Sequence, residues 1–140
     1  MEVEAPRVAH AAKPGQFLIV RACEEGERVP LTVCNFDREK GTVTIVTQIV
    51  GASSRRICSL NEGDCLVDVA GPLGQPSEFV GVPVEELKKQ RYIFIAGGLG
   101  VAPVYPQAKY LHEAGACVDI IIGAKTAELL ILEEKMRAVC

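Results

Sequence analysis

Over residues 1–82, short runs of apolar side chains alternate with polar ones, which is the pattern of half-buried β-strands. The clearest run is 42–50, where Val43, Ile45 and Ile49 alternate with polar residues. Strands are predicted at 17–22, 29–36, 42–50 and 65–70, with a short helix at 53–60. Turn sequences separate the strands every eight to twelve residues or so, and this spacing predicts a small antiparallel β-barrel.

The pattern changes after residue 82. Residues 83–91 form a predicted linker with one helical turn, in which Glu85 and Lys89 have i, i+4 spacing. Residues 92–140 then predict a strand, a helix ended by Gly115, a second strand and a second helix. These elements are predicted at 92–96, about 102–114, 118–122 and about 127–138, with Leu129, Leu132 and Met136 on one face of the last. A βαβα unit is the start of a parallel sheet. Because two parallel strands cannot bury their own faces, we expect the chain to be a fragment.

A glycine-rich turn joins the first predicted strand of this unit to its helix. Gly97, Gly98 and Gly100 leave the backbone open to a ligand, and Pro103 suits the first turn of a helix. Free N–H groups and the helix dipole at such a turn favour an anion, typically the pyrophosphate of a nucleotide. A tight connection without a ligand is the alternative, since Pro103 stands where G-x-G-x-x-G has its third glycine.

Composition narrows the function classes. The net charge is −3 with no basic stripe, which argues against nucleic acid as a partner. No apolar run is long enough for a membrane span and the N-terminus does not resemble a signal peptide, so a cytoplasmic location is expected. None of the six cysteines forms a C-x-x-C pair, and no metal site is predicted. Cys23, Cys65 and Cys117 lie in or beside apolar runs, which predicts buried, reduced thiols.

Several motifs occur together in a recognisable order. They are PGQF at 14–17, PLT at 30–32, GPLG at 71–74, AGGLGVAPVYP at 96–106 and GA at 123–124. In this order they resemble the ferredoxin–NADP reductase superfamily, in which a β-barrel binds FAD and a parallel-sheet domain binds NAD(P)H. The branch they resemble contains the small flavin subunits of NADH-dependent ferredoxin:NADP oxidoreductase (sulfide dehydrogenase). The electron-transfer subunits of dihydroorotate dehydrogenase and the diaphorase subunits of hydrogenases are similar.

The resemblance implies a flavin site in the barrel, formed by residues 1–82. Pro30, Leu31 and Thr32 align with the stretch that faces the flavin ring, and the Thr32 hydroxyl would lie near N5. Asn35 would lie near the ribityl or adenosine portion. Val29 replaces the arginine found there in the wider superfamily, and Leu31 replaces the tyrosine, which leaves the phosphate charge to other groups. The alternative is that Thr32 is an ordinary strand residue.

The resemblance also places the FAD pyrophosphate at the turn into the short helix, at Gly51, Ser53 and Ser54. A glycine turn with hydroxyls at a helix start agrees with this role, although an ordinary N-cap would have the same sequence. Arg55 and Arg56 either add positive charge to the site or form a pair of surface arginines.

In the parallel-sheet domain, residues 92–140, the resemblance implies NAD(P)H binding. The implied cofactor-binding residues are Gly97, Gly98, Gly100, Val101, Pro103 and Gly123. No acidic residue stands where it would read the ribose 2′-hydroxyl, and Lys125 is either a phosphate contact or a solvated lysine. The sequence therefore does not distinguish NAD from NADP.

The implied function is electron transfer between NAD(P)H and an iron–sulfur or ferredoxin-type acceptor through FAD. No catalytic side chain is implied, because the cofactors perform the chemistry. A [2Fe–2S] cluster is expected only in a C-terminal part outside this sequence, and the first barrel strand is expected to precede Met1–Glu4. The implied partner is a larger oxidoreductase subunit or ferredoxin, with a homodimer through the open barrel edge as another possibility. The alternatives are a non-catalytic assembly module and a module that binds a nucleotide for regulation.

Overall fold

The computed structural model describes residues 1–140, which form two compact units. Unit 1 comprises Met1–Ala12 and Gln16–Gln75, and unit 2 comprises Lys13–Gly15 and Pro76–Cys140. The break after Gln75 precedes the predicted boundary at residue 82. The segment 13–15 belongs to unit 2 because the N–H of Ser77 donates a hydrogen bond to the Pro14 carbonyl at 2.9 Å.

Unit 1 consists of six short strands and two helices. The strands are β1 Glu2–Glu4, β2 Phe17–Arg21, β3 Val29–Thr32, β4 Asn35–Asp37, β5 Thr42–Thr44 and β6 Asp68–Leu73. The helices are α1 Pro6–Ala11 and α2 Ala52–Cys58. The strands form two three-stranded antiparallel sheets, in the orders β1-β5-β4 and β3-β2-β6. The predicted antiparallel half and its short helix are therefore confirmed.

One hydrophobic core lies within unit 1. The core contains aliphatic side chains that are almost completely buried: Leu18 and Val20 of β2, Val43 of β5, Ile45 just after β5, and Ile57 of α2. The predicted strand 17–22 therefore contributes to this core, and Val43 and Ile45 of the predicted alternating run 42–50 are buried in it. Helix α1, which the sequence pattern did not predict, adds Val8 and Ala9 to the core, with Pro6 at its first position.

Two predicted strands of unit 1 were too long. The run 29–36 divides into β3 and β4 because Val33 and Cys34 are both buried, which breaks the alternation. The N–H of Val33 donates to Gln16 and that of Cys34 to Thr44, so the chain leaves one sheet for the other. The run 42–50 is a strand only to Thr44, and Val50 is 85% exposed. The strand predicted at 65–70 is shifted by three residues. It begins at Asp68 and continues through Gly71-Pro72 to Leu73.

Unit 2 contains the predicted βα unit. Strands β7 Arg91–Gly97 and β8 Cys117–Gly123 are parallel, and α4 Val101–Glu113 connects them. Short helices lie on either side, α3 Val84–Leu87 within the predicted linker and α5 Glu133–Arg137 near the C-terminus. Helix α4 ends before Gly115, whose φ of +80° is the left-handed conformation expected of a C′ glycine.

Helix α4 covers one face of the β7–β8 sheet, and the other face is exposed. Ile93 and Ile95 of β7 are 61% and 75% exposed, and Ile121, opposite Ile95, is 57% exposed. All three project to the same side because side chains alternate along each strand. The sheet of unit 2 therefore presents an apolar face to solvent.

The second predicted helix of this unit is only partly correct. Residues 127–129 form a 3₁₀ turn, and α5 begins after Leu132, whose φ of 57° lies in the left-handed region. A residue in that conformation cannot continue an α-helix. Met136 is buried as predicted, whereas Leu129 is exposed.

The cysteine prediction was correct about bonding and wrong about burial. All six cysteines are free. Cys23 is half-buried, but Cys65 and Cys117 are exposed, because Cys65 lies ahead of β6 and Cys117 on the uncovered face of β8. None of the helices combines the length and apolar character that crossing a membrane requires.

Candidate functional site

Strand β3 places Pro30, Leu31 and Thr32 at the edge of its sheet. It pairs with β2 alone, Thr32 standing opposite Phe17 and Leu31 opposite Leu18. The Leu31 side chain packs against the core of unit 1, so Pro30 and Thr32 project to the opposite side. Of the three residues predicted to face a cofactor ring, Pro30 and Thr32 therefore offer their side chains and Leu31 does not. Asn35 begins β4, in the other sheet, opposite Thr44.

The turn before α2 is shaped by Ser54. The Ser54 hydroxyl accepts hydrogen bonds from the N–H groups of Val50 and Gly51, both at 2.9 Å, and donates to the Gly51 carbonyl at 3.1 Å. Its hydrogen-bonding capacity is therefore used within the turn, and the side chain is buried. Gly51 is extended, and a Cβ placed there would meet no atom within 4 Å. The backbone at Gly51 is therefore open to approach, whereas the Ser54 hydroxyl is not available to a ligand.

A cleft of about 230 Å³ lies beside α2 in unit 1. It is lined by Ala22, Glu25, Gly26, Glu27, Ala52, Ser53, Arg56 and Ile57. The Ser53 hydroxyl donates to the Glu27 carboxylate, and the Arg56 guanidinium contacts the Cys23 sulfur at 2.6 Å. The loop before β3 and the face of α2 thus form the two walls. Sequence reasoning missed this cleft, because Glu27 and Ser53 are far apart along the chain.

Other arginines near this loop have carboxylate partners. Arg21 Nε lies 2.7 Å from an oxygen of Asp68, and Arg28 reaches the same oxygen at 3.3 Å. Asp68 begins β6 opposite Arg21 of β2, so the pair also fixes the register of these two strands.

The glycine turn of unit 2 lies at the carboxyl end of the parallel sheet. Gly97 ends β7 directly opposite Gly123, the last residue of β8. A Cβ at Gly98, Gly100 or Gly123 would meet no atom within 4 Å, and Gly98 has a φ of +52°. The structure therefore brings the four predicted glycines to one edge, with open space over three of them, and a Cβ at Gly97 would lie 3.7 Å from the Gly123 carbonyl oxygen. This edge is where open α/β sheets bind ligands.

Val101 and Pro103 contribute less than predicted to this edge. Val101 is 1% exposed and its N–H donates to the carbonyls of Gly98 and Leu99, so neither its side chain nor its N–H is available. Pro103 lies in the first turn of α4, where its carbonyl accepts a hydrogen bond from the Gln107 amide at 2.9 Å.

The charged groups of unit 2 with shifted pKa values have local hydrogen-bond partners. At the opposite end of β7, Arg91 donates hydrogen bonds to Asp119, one of them 3.0 Å long, which lowers the pKa of the Asp119 carboxyl. Beyond β8, hydrogen bonds from its own N–H and from Thr126 lower the pKa of Glu128. Both shifts come from local pairing. No group of three or more His, Cys, Asp or Glu residues is arranged to hold a metal ion.

Comparison with known proteins gives three informative similarities, although no protein-family profile matches the chain. A Clostridium beijerinckii protein described as an uncharacterized protein in the adh 3′ region is 57% identical over 136 residues, 97% of this chain and 46% of that protein. A Thermotoga maritima homolog of the electron transfer subunit of dihydroorotate dehydrogenase B (NAD(+)) is 36% identical over 137 residues, 98% of this chain and 46% of that protein.

The third similarity is to a solved structure of NADH-dependent reduced ferredoxin–NADP oxidoreductase, described in connection with flavin-based electron bifurcation. It is 36% identical, with a TM-score of 0.88 over 99% of this chain and 48% of that chain. The chain thus spans about half the length of the relatives that it matches.

Proposed function

Because the chain belongs to the ferredoxin–NADP reductase superfamily, we propose that it forms the flavin-binding unit and the first part of the NAD(P)H-binding unit of an electron-transfer subunit. Unit 1 is the proposed FAD-binding part, and unit 2 the proposed NAD(P)H-binding part. One observation carries this proposal: the same chain contains two units of different type. The antiparallel unit has a cleft beside α2, and the parallel unit that follows has an open edge lined by glycines.

The residues of unit 1 fit FAD. The space over Gly51 leaves room for the diphosphate. The unpaired N–H groups expected in the first turn of any helix would donate hydrogen bonds to it. Ser53 lines the adjoining cleft, and Ser54 holds the turn in shape through its own hydrogen bonds. The Thr32 hydroxyl, on the edge strand β3, would donate to the rim of the flavin ring.

The residues of unit 2 fit the diphosphate of NAD(P)H. Gly97, Gly98, Gly100 and Gly123 keep side chains away from the carboxyl edge of the sheet, so a ligand could approach the backbone closely. Pro103 and Gln107 would contribute by holding the first turn of α4. Preference for NAD or NADP is left open.

FAD held by unit 1 would supply the chemistry of a hydride acceptor from NAD(P)H and of a single-electron donor to an iron–sulfur acceptor. The chain's own residues would bind and orient the two cofactors, and no side chain is proposed as an acid or base. We propose a larger oxidoreductase subunit or a ferredoxin as the acceptor-bearing partner. A [2Fe–2S] cluster outside this sequence and a cytoplasmic location belong to the same proposal.

Titration of the purified chain with FAD, followed by quenching of flavin fluorescence, tests this function. We expect saturable one-to-one binding, weakened about 3- to 10-fold in Thr32→Ala, because a hydrogen bond contributes about 1 kcal/mol. Thr44→Ala, at a strand position of β5 in unit 1, is the matched control and should bind like the unchanged chain. Absence of FAD binding by the unchanged chain would reject the flavin function for this chain.

A second candidate, an assembly module without turnover, is favoured by the exposed apolar face at Ile93, Ile95 and Ile121. A homodimer through the open edge of the antiparallel unit belongs to this candidate. Sedimentation velocity separates the two functions, because an assembly module should associate with concentration and bind no flavin. A monomer that binds FAD would exclude it.

A further inference from the structure

The cleft beside α2 contains one cation, Arg56, and we infer that Arg56 is the side chain with which unit 1 binds the diphosphate of FAD. This inference rests on the proposed function and adds a residue to it. It also distinguishes Arg56 from its neighbour Arg55, which the sequence alone does not separate.

The partner of Arg56 differs from those of Arg21, Arg28 and Arg38, and this difference supports the assignment. Arg21 and Arg28 are both paired with Asp68, and Arg38 donates to the Ala12 carbonyl at 3.0 Å. The Arg56 guanidinium, by contrast, contacts the sulfur of Cys23. A thiol is a weak acceptor, whereas a guanidinium forms its strongest hydrogen bonds with carboxylates and phosphates. Exchanging Cys23 for a phosphate oxygen would therefore be favourable.

The helix geometry places Arg56 correctly for this role. Ala52, Ser53 and Arg56 are at positions i, i+1 and i+4 of α2, so they share one face, and all three line the cleft. Arg55 and Arg56 are both exposed, but Arg56 lines the cleft and Arg55 does not. The guanidinium thus lies on the same wall as the proposed diphosphate-binding turn at Gly51–Ser54.

The size of the cleft agrees with a part of FAD. Its volume of about 230 Å³ is below the range of about 300–1,000 Å³ typical of whole-ligand pockets, so it suits the diphosphate and an adjoining ribose. Glu25 and Glu27 also line it, and their carboxylates would repel a diphosphate. Arg56 is the cation in the lining and offsets part of this repulsion, so its loss should affect anionic ligands selectively.

The test compares FAD, ADP and riboflavin as ligands of the unchanged chain, Arg56→Gln and Arg55→Gln. FAD and ADP carry the diphosphate, and riboflavin carries the ring without phosphate. We expect Arg56→Gln to weaken FAD and ADP binding about 10- to 100-fold, the range for hydrogen bonds to charged groups, and to leave riboflavin binding within about twofold. Arg55→Gln should match the unchanged chain with every ligand.

Two further measurements complete the test. Arg56→Lys keeps the charge and should recover part of the affinity, and the salt dependence of FAD binding should be shallower in Arg56→Gln. Thermal unfolding of Arg56→Gln should match that of Arg55→Gln, which confirms that the fold is intact. Equal FAD affinities in the two glutamine variants would overturn the inference and leave the flavin function standing. Absence of FAD binding by the unchanged chain would overturn both.

Discussion

At the scale of single residues, Ser54 shows how a predicted ligand contact can have another role. Its hydroxyl accepts from two backbone N–H groups and donates to a carbonyl, so it determines the conformation of the turn at Gly51. The neighbouring Ser53 faces the cleft instead. Two adjacent serines that look equivalent in sequence therefore act differently, one on the turn and one on the cleft.

Ser54→Ala should lower the free energy of unfolding by about 1–2 kcal/mol, because the N–H groups of Val50 and Gly51 lose their part-buried acceptor. Ser53→Ala, which removes an exposed hydrogen bond to Glu27, should change it by less than about 0.5 kcal/mol. Urea unfolding of both variants measures the difference. Equal effects of the two substitutions would contradict the assignment of Ser54 to the turn.

At the scale of secondary-structure elements, β7 and β8 are joined by a charged pair as well as by their hydrogen-bond ladder. Arg91 begins β7 and donates hydrogen bonds to Asp119, near the start of β8. These bonds lower the pKa of Asp119 from its ordinary value of 3.8 and raise that of Arg91. The pair is exposed, so its contribution to stability should be small and sensitive to salt.

The pH dependence of this pair has a defined sign. Since the pKa of Asp119 is lower in the folded chain than in the unfolded one, the stabilisation is complete above pH 3.8 and is lost as the pH falls through the folded value. Asp119→Asn should therefore destabilise the chain at neutral pH and lose this effect in acid. Chemical unfolding at several pH values measures it.

The matched control is Asp119→Asn combined with Arg91→Gln. In the Arg91→Gln background, the Asp119 carboxyl has no cationic partner. The effect of Asp119→Asn on the free energy of unfolding should then be the same at neutral and at acid pH. The same acid dependence with and without Arg91 would show that another group causes it.

At the scale of the whole molecule, the chain consists of two compact units that differ in sheet type and in how they bury their apolar side chains. Unit 1 has a core of aliphatic side chains beneath two small sheets, and unit 2 has a two-stranded parallel sheet with one apolar face exposed. The proposed cofactors divide between them, FAD in unit 1 and NAD(P)H in unit 2.

Hydrogen exchange tests this division directly. At an FAD concentration about 100 times the dissociation constant, binding stabilises the liganded unit by about 2.7 kcal/mol, which slows exchange through its opening about 100-fold. We expect this protection over 16–75, strongest near Gly51–Arg55, and little change over 91–123. Arg56→Gln at the same FAD concentration should show less protection. Protection confined to 91–123 would place the flavin in the other unit.

Local sequence was sufficient to predict the βα unit. Gly97, Gly98 and Gly100 between an apolar strand and a helix, with Gly115 at the helix end, are constrained by backbone conformation within a few residues. The parallel pairing of β7 and β8 and the open carboxyl edge follow from that local order. The same applies to the antiparallel character of unit 1, since short apolar runs separated by turn sequences recur along it.

Folding determined the features that depend on partners distant in the chain. The alternating run 42–50 is a strand only where β1 and β4 pair with it, and 29–36 divides because Val33 and Cys34 pass from one sheet to the other. The cleft is also of this kind, since folding brings the loop at Glu27 against Ser53 and Arg56. Apolar periodicity records which side of a segment is buried, and it carries no information about which distant residue lies opposite.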